Sequence, residues 1–376
     1  MTSVTHVNWR ARLKSEWLLL AFAALAIILA ALDPQPLAHY RRWLQLPTLA
    51  GLLGLLIAIQ GIRDSGLVQR VASLMASRMH SVRTLGLLLI VSSALLSTVL
   101  TNDVSLFLVV PLTVALGGVS NLPLLRMVVL EALAVNAGST LSPIGNPQNL
   151  LLWQVAHVPF IDFVARMLPA AAVMLMLLLG LTWCWLPSTH VDLDTRQIGA
   201  GTTSATLATL SCLALVGMVL LMEYDHSPYG ALLMLLAFGS LRWRTLAGID
   251  WLLLATFAAI FLGLGHLAEL PLIRHALGRL DFNQPLTLYA SGIVASQLIS
   301  NVPATVLLLE RAPDPLALAV AVNVGGFGLA IGSMANLIAL RLARQPHGLR
   351  QFHLVSIPFL LACAPLAYLA WRGITL

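Results

Sequence analysis

The chain has 376 residues, of which 59% are hydrophobic and 10% are charged, and its formal net charge at pH 7 is +6. Soluble domains carry about 25% charged residues, so the composition excludes an ordinary soluble domain and indicates a multi-pass protein of the cell inner membrane. Basic cytoplasmic loops explain the positive charge. We therefore expect the lipid bilayer as a partner and no nucleic acid.

Several apolar runs approach the length of about 20 residues that crosses a bilayer. They include Glu16–Leu32, Thr48–Ile62, Phe163–Leu186, Thr206–Met222 and Phe352–Tyr368. Basic residues precede the first run, as in a signal peptide, but the following "ALDPQP" contains no small-residue cleavage site. We therefore expect a retained first span.

The distribution of basic residues predicts the topology. With the N-terminus in the cytoplasm, 14 Lys and Arg residues fall on the cytoplasmic side and 7 fall outside, which together are the 21 in the chain. Cytoplasmic loops usually carry the excess, so we expect a cytoplasmic N-terminus. The pair Arg41 and Arg42, which falls outside, is the exception.

Two glycine-rich segments share one pattern. "NAGSTLSPIGNPQN" (Asn136–Asn149) and "NVGGFGLAIGSMAN" (Asn323–Asn336) have Asn, Gly, Gly and Asn at identical spacing. Upstream of them, "STVLTNDVS" (Ser97–Ser105) corresponds to "SQLISNVPA" (Ser296–Ala304), and each has a central Asn. The same order of features in both halves predicts an internal repeat.

We predict an all-α polytopic membrane protein with inverted repeats, each containing a re-entrant hairpin and a broken transmembrane helix. The predicted parts are an N-terminal repeat at 1–186 with hairpin 82–116 and broken helix 124–155, a cytoplasmic linker at 187–202, and a C-terminal repeat at 203–376 with hairpin 285–311 and broken helix 315–344. The hairpin arms look too short to cross as two full helices. We expect the first hairpin to enter from the cytoplasm and the second from outside.

An amphipathic segment precedes each hairpin. Gly66–His80 and Leu270–Leu280 place Arg and His on one face and apolar residues on the other. This pattern suits a helix that lies in the membrane interface. An ordinary loop helix is the alternative.

The first glycine-rich segment is expected to interrupt a helix inside the membrane. We predict a helix from Leu124 to Val135, unwound chain over Asn136–Asn149, and a second helix from about Leu150. Unwinding frees carbonyl groups for a cation, and the second helix presents an N-terminus that favours an anion. Glycines allow close approach of a ligand, while Pro143 and Pro147 oppose re-formation of the helix. A kinked helix that satisfies its own backbone is the alternative, but two copies favour a substrate and ion site.

The stretches "LTNDVSLFLVVPL", "GSTLSPIGNPQNLLLW", "ISNVPATVLLL" and "GLAIGSMANLIAL" resemble the ion transporter superfamily. The likeness is to citrate-transporter-like anion permeases, which are grouped with arsenite permeases and one class of sodium/proton antiporter. It covers about residues 48–368. The resemblance implies a homodimer, hairpin tips that bind sodium and a substrate carboxylate, and helix breaks that complete the cation sites.

By position, the resemblance assigns substrate binding to Asn102, Asp103, Pro147, Asn301, Val302 and Ser333. It assigns cation binding to Ser97, Thr101, Asn102, Gly145, Asn149, Ser300, Asn301, Gly332 and Asn336. Sodium is the expected ion at these residues, and no other cofactor is expected. Asp103 and Val302 depart from the Ser-Asn-Thr triplet of such symporters, and both departures argue against a dicarboxylate.

Two acidic residues are candidates for coupling to protons. A carboxylate inside a bilayer is costly and usually marks an ion or proton path, which directs attention to Asp103; capping of the second hairpin arm is its alternative role. Glu131 precedes the first break, and its alternatives are a solvated position or a hydrogen bond to a neighbouring helix. Other acidic and histidine side chains are expected at solvated or interfacial positions: Glu223, Asp225, Glu269, Glu310, His157, His226, His266, His275, His347 and His353.

The leading hypothesis is secondary active transport of a small anion or oxyanion by alternating access, coupled to sodium or protons. No Lys or Arg falls inside a predicted site, so helix dipoles, amides, hydroxyls and bound cations would hold the anion. A sodium/proton antiporter using Asp103 and an arsenite-type efflux permease are the alternatives. HExxH, GxSxG and GxxxxGK[ST] motifs are missing from the sequence, so we expect neither an enzyme nor an ATP-driven pump.

Overall fold

The structure is a computed structural model that describes residues 17–67, 70, 81–119, 122–190, 203–343 and 345–375. These residues form α-helices, a 3₁₀ turn, loops and an isolated antiparallel bridge between Ser81 and His190. The all-α prediction is confirmed. Most of the predicted interfacial segment Gly66–His80 and of the linker 187–202 lies outside the described residues.

The helices of the first half are α1 (Trp17–Leu32), α2 (Leu37–Trp43), α3 (Leu46–Asp64), α4 (Val82–Leu100), α5 (Asn102–Val119), α6 (Leu124–Ser139), α7 (Pro147–Ala156) and α8 (Phe160–Trp185). Those of the second half are α9 (Ala205–Glu223), α10 (Ser227–Leu241), α11 (Trp243–Ala247), α12 (Trp251–Glu269), α13 (Pro271–Gly278), α14 (Pro285–Ile299), α15 (Asn301–Leu309), α16 (Pro315–Val324), α17 (Met334–Ala343) and α18 (Gly348–Thr375). Helix α13 lies within the second predicted interfacial segment.

Six stretches of helix are long and apolar enough to cross a membrane, counted within the described ranges. They are α2 with α3, α4, α8, α9, α12 and α18. Many of their large apolar side chains point outward, for example Leu95 at 65% exposure, Leu213 at 67% and Leu361 at 69%. Such surfaces are stable when lipid covers them, so the protein is a multi-pass membrane protein.

Local sequence sets where the helices begin. Ser81 caps α4 by accepting a hydrogen bond from Thr84 N, and Asp314 caps α16 by accepting from Leu316 N and Ala317 N. Proline occupies the first turn of α3, α7, α10, α13, α14 and α16, where the missing N–H costs no intrahelical bond.

Each half contains a helical hairpin with a sharp tip. Helices α4 and α5 meet at Thr101, and α14 and α15 meet at Ser300, where φ is +73° and +76° respectively. With ψ near 150° at both residues, this backbone conformation is almost restricted to glycine and costs about 1–3 kcal/mol. The arms of each hairpin pack against each other and against the broken helix of the same half.

The predicted arm lengths are wrong for the first hairpin. Helix α4 has 19 residues, which is long enough to cross a membrane, whereas α14 and α15 have 15 and 9 residues. The sequence reading placed the first arm's start and the tip correctly but treated the arm as half a span. Entry and exit on one side, and the inversion of the repeats, stay predictions.

The helix breaks are shorter than predicted. Helix α6 continues to Ser139 and α7 begins at Pro147, so the unwound chain is 140–146 rather than Asn136–Asn149. Asn136 stays helical and donates from Nδ2 to Ala132 O. Pro147 starts the second helix instead of preventing one. The corresponding break separates α16 from α17 and contains the 3₁₀ turn Ala330–Gly332.

The broken helices form the centre of the molecule. Every residue from Met127 to Ser139 and from Leu316 to Val324 is buried. Helix α7 packs against α15 and α16 of the other half, and α17 packs against α5 and α6. The helix that follows each break thus packs against the opposite half of the chain. This packing places the two breaks side by side.

Close packing of α4 on α6 gives a stability prediction. A Cβ atom at Gly138 would overlap the carbonyl oxygen and Cα of Ala94, so Gly138→Ala forces the two helices apart. We expect a loss of about 1–3 kcal/mol, seen as a lower midpoint of thermal unfolding in detergent. Gly180→Ala is the matched control, since nothing lies within 4 Å of its added Cβ. Equal unfolding midpoints for the two variants would contradict this packing.

Candidate functional site

A cavity of about 160 Å³ lies between the two hairpin tips and the two helix breaks. Sequence reasoning assigned substrate binding to six residues, and all six line it: Asn102, Asp103, Pro147, Asn301, Val302 and Ser333. The structure thus brings together residues that are up to 231 positions apart in the sequence. That they bind a substrate stays a prediction.

The two hairpin tips have the same local hydrogen bond. Asn102 Oδ1 accepts from Asp103 N, and Asn301 Oδ1 accepts from Val302 N, both at 2.9 Å. Asn102 N also donates to Gly145 O at 2.9 Å. The first tip is therefore held directly against the first break.

Asp103 does not cap helix α5. The helix begins one residue earlier, at Asn102, so the capping alternative is wrong. The Asp103 Oδ1 atom is buried and has no hydrogen-bond partner among the described residues. An acidic side chain in this state at a cavity wall is free to take part in ion or proton binding.

Two amide–amide hydrogen bonds join the breaks across the halves. Asn136 Nδ2 donates to Asn336 Oδ1 at 2.8 Å, and Asn323 Nδ2 donates to Asn149 Oδ1 at 2.6 Å. Asn136 and Asn323 are the first positions of the repeated pattern, and Asn149 and Asn336 are the last. Each bond therefore joins the first Asn of one pattern to the last Asn of the other, so the two bonds are equivalent under the internal repeat.

The same asparagines also bond their own backbone in corresponding ways. Asn323 Nδ2 donates to Ala319 O at 2.7 Å, as Asn136 does to Ala132 O at 3.1 Å. Asn336 Nδ2 donates to Gly326 O at 2.9 Å. The bond to Gly326 O satisfies a carbonyl that the second break leaves inside the protein, where an unpaired group is costly.

The first break concentrates oxygen atoms around one amide. Asn149 Nδ2 lies 3.0 Å from Ser139 O, 3.2 Å from Thr140 O and 3.1 Å from Ser142 O. Hard cations prefer such carbonyl oxygens. These three carbonyl oxygens are therefore suited to binding sodium, although in this structure they lie against the Asn149 amide.

The remaining predicted cation ligands lie near the tips and breaks. Ser97 is buried and donates to Ala94 O, while Thr101 and Ser300 form the buried tips. Gly332 lies in the second break, close to Gly325 O. All these positions offer neutral oxygen atoms or bare backbone, and their role as cation ligands stays a prediction.

Sequence reasoning missed a basic residue. Arg341 lines the cavity, so the expectation that no Lys or Arg enters the site is wrong. Met334, Leu337 and Ile338 line it too, and with Arg341 they follow the i, i+3, i+4, i+7 spacing of one helix face. That spacing, counted from the second break, would have found Arg341.

Sequence reasoning also missed an acidic residue of the cavity wall. Asp250 lines the cavity and caps α12 by accepting a hydrogen bond from Leu253 N at 3.1 Å. Leu253, Phe257 and Ile260 continue this face of α12 along the cavity. The cavity wall thus carries two carboxyl groups, on Asp103 and Asp250, and the guanidinium of Arg341.

Glu131 lies outside the cavity wall. Its side chain is fully buried, and its Oε1 accepts a hydrogen bond from Thr113 Oγ1 on α5. The solvated alternative is wrong, and the alternative of a bond to a neighbouring helix is confirmed. Glu131 Oε2 has no hydrogen-bond partner among the described residues, and a coupling role stays a prediction.

Two histidines make specific contacts within the protein. His266 is fully buried in α12, stacks on Trp43 with ring centroids 5.0 Å apart, and places Nε2 3.3 Å from Asp33 Oδ2. His353 in α18 accepts a hydrogen bond from Ala330 N in the second break at 3.0 Å. His266 is therefore buried rather than solvated, whereas His353 is half-buried and its interfacial position stays a prediction.

Comparison with known proteins places the chain among membrane transporters. Residues 13–316 match the family model described as citrate transporter, and the chain belongs to that family. It is 41% identical over 323 residues to "Inner membrane protein YbiR" of Escherichia coli K12, covering 85% of this chain and 86% of the relative.

More distant relatives are also named as transporters. "Uncharacterized transporter MJ0456" of Methanocaldococcus jannaschii is 29% identical, with 90% of this chain and 91% of the relative covered. "Silicon efflux transporter LSI3" of Oryza sativa subsp. japonica is 29% identical over 144 residues, or 37% of this chain and 30% of the relative. The resemblance expected from the motifs is confirmed at the level of the family.

The reciprocal amide bonds give a second prediction. Asn136→Ala and Asn336→Ala should each destabilise the protein by about 1–3 kcal/mol, because each leaves a buried partner unsatisfied. In a double-mutant cycle measured by unfolding in detergent, we expect a coupling energy of about 0.5–3 kcal/mol. Ser93→Ala is the control partner for Asn336→Ala, since Ser93 bonds Leu89 O of its own helix. Additive effects of the two asparagine substitutions would contradict a direct link.

Proposed function

We propose that the protein is a secondary active transporter that moves a small anion or oxyanion by alternating access, coupled to sodium or protons. The observation that carries the proposal is the set of four helix N-termini around one cavity. Helices α5, α7, α15 and α17 begin at Asn102, Pro147, Asn301 and Met334, and all four residues line the cavity. Each N-terminus carries partial positive charge and N–H groups that favour an anion.

Arg341 strengthens the case for an anion. A guanidinium presents a planar set of donors that matches carboxylates and oxyanions. Together with the four helix N-termini, it supports a negatively charged cargo over a neutral one. An arsenite-like neutral cargo becomes the weaker alternative on these grounds.

The two carboxyl groups supply the coupling. An anion bound near ionised Asp103 and Asp250 is repelled, because like charges at close range disfavour each other. A proton on Asp103 or a sodium ion beside it removes this repulsion, so anion and cation bind together. A sodium/proton antiporter in which Asp103 exchanges the two ions is the second candidate, favoured by its buried and unpartnered Oδ1.

Sodium, if it is the coupling ion, would be held by the oxygen atoms at the tips and breaks. The first set contains Ser97, Thr101, Asn102, Gly145 and Asn149, and the second contains Ser300, Asn301, Gly332 and Asn336. Bound sodium supplies positive charge next to the anion. The clustering of Ser139, Thr140 and Ser142 carbonyls supports the first set.

Transport in proteoliposomes tests the proposal. The panel contains citrate, named by the family, silicate, suggested by the rice relative's name, and arsenite, succinate, sulfate and sodium. We expect one anion to accumulate under an imposed sodium or pH gradient and none without it. Movement of sodium against protons with no anion dependence would replace the proposal with antiport.

Asp103→Asn separates the coupling modes, because the amide keeps the shape of the side chain and cannot ionise. If protons drive transport, the variant should lose gradient-driven accumulation while keeping anion exchange. If sodium drives it, uptake under a sodium gradient should survive. Asp281→Asn, at an exposed loop, is the control and should leave both unchanged.

Arg341→Gln tests anion recognition. Losing a charge-assisted contact of about 1.5–3 kcal/mol should lower anion uptake at subsaturating concentration by roughly 10-fold or more. Arg242→Gln removes an arginine at the exposed end of α10 and should transport like the unmodified protein. Equal uptake by both variants would show that Arg341 does not contact the anion.

A further inference from the structure

We propose that a groove between α8 and α18 binds an anionic phospholipid. The phosphate of the headgroup lies at Arg350, and one acyl chain follows the two helices. The groove has a volume of about 900 Å³ and lies apart from the central cavity, with which it shares no lining residue. This inference does not depend on the proposed transport activity.

Most of the groove is apolar. Helix α8 contributes Leu177 and Leu181, and helix α18 contributes Leu354, Phe359 and Ala362. Leu354 is 66% exposed. A surface of this kind on a membrane protein is stable only when hydrocarbon covers it.

The groove is the right length for one membrane leaflet. Arg350 and Ala362, at its two ends on α18, are 12 residues apart, which is about 18 Å at 1.5 Å per residue. Half of the hydrocarbon core of a bilayer is about 15 Å. A lipid whose headgroup lies at Arg350 therefore has its acyl chain along the apolar part.

Only one end of the groove is polar. His347, Arg350 and Gln351 lie together there, and His347 and Arg350 are exposed. None of the described residues that line the groove is Asp or Glu. An arginine beside further donors, without a carboxylate, suits the phosphate of a lipid headgroup.

Aromatic residues place this end at the membrane surface. Trp185 lines the groove, and the guanidinium of Arg126 lies 5.4 Å from its ring centre. Trp183, which is also on α8, has the guanidinium of Arg83 of α4 4.9 Å from its ring centre. Tryptophan and arginine collect at the level of lipid headgroups, so the polar end lies where a phosphate would be.

The charge pattern favours a lipid over a second copy of the chain. The apolar residues alone would suit either a lipid or a second copy of the chain. The basic end, however, contains no acidic residue with which the same end of a second copy could pair. Anionic lipids supply the complementary charge along with the chain that fills the groove.

Native mass spectrometry of the purified full-length protein tests the proposal. The probes are phosphatidylglycerol and phosphatidylcholine with identical acyl chains, and soluble glycerol 3-phosphate as the free headgroup. We expect at least a fivefold preference for phosphatidylglycerol over phosphatidylcholine, and no displacement by glycerol 3-phosphate. Arg350→Gln should remove the preference, and Ala362→Phe, which fills the apolar end, should lower retention of both lipids.

Arg242→Gln is the matched control and should bind lipid like the unmodified protein. Equal retention of the two lipids, or unchanged preference in Arg350→Gln, would overturn the proposal. Displacement by glycerol 3-phosphate would show a phosphate site without a lipid. Loss of a dimer in Ala362→Phe with lipid retention unchanged would assign the groove to a second copy instead.

Discussion

The fold depends on how backbone left out of helices is satisfied inside a membrane. Lipid offers no hydrogen bonds, so irregular backbone there is tolerated only within protein or beside a water-filled cavity. Here the amide of the last Asn in each break satisfies carbonyls of its own break: Asn149 Nδ2 lies near three in the first, and Asn336 Nδ2 donates to Gly326 O in the second. Side-chain bonds from Asn136 to Asn336 and from Asn323 to Asn149 then join the two breaks across the halves.

This arrangement also determines what the cavity can do. The helices that follow the two hairpin tips and the two helix breaks all begin at the cavity. The strained backbone at Thr101 and Ser300 directs the following helices at the cavity. In the proposed mechanism, positive helix ends attract an anion, while Asp103 and Asp250 oppose it until a cation or proton joins. In that mechanism, affinity and coupling arise from the same few residues.

The sequence predicted the parts of this site that are tied to local chemistry. Glycines, prolines and asparagines at matched spacing identified both breaks, and the polar triplets identified both tips. Exact helix ends were missed, because Asn136 bonds its own helix and Pro147 starts a new one. Both features are local: the Asn136 amide bonds Ala132 O within α6, and proline suits the first turn of a helix.

Arg341 and Asp250 were missed for a different reason. Each lies at a helix end that reads as a loop boundary, and only the packing of α17 and α12 turns those ends toward the cavity. Glu131 was identified from the sequence as a candidate, but its hydrogen-bond partner was not. That partner, Thr113, lies on another helix. Side chains whose role depends on a neighbouring helix are the ones that sequence leaves open.

The most direct test is an experimental structure of the protein with its transported anion, determined by cryo-electron microscopy in a lipid nanodisc. We predict density for the anion between Asn102 and Asn301, with 140–146 unwound and the amide of Asn149 bonded to Asn323. Density at another place, or a continuous helix through 140–146, would contradict the claim that the paired breaks build the binding site.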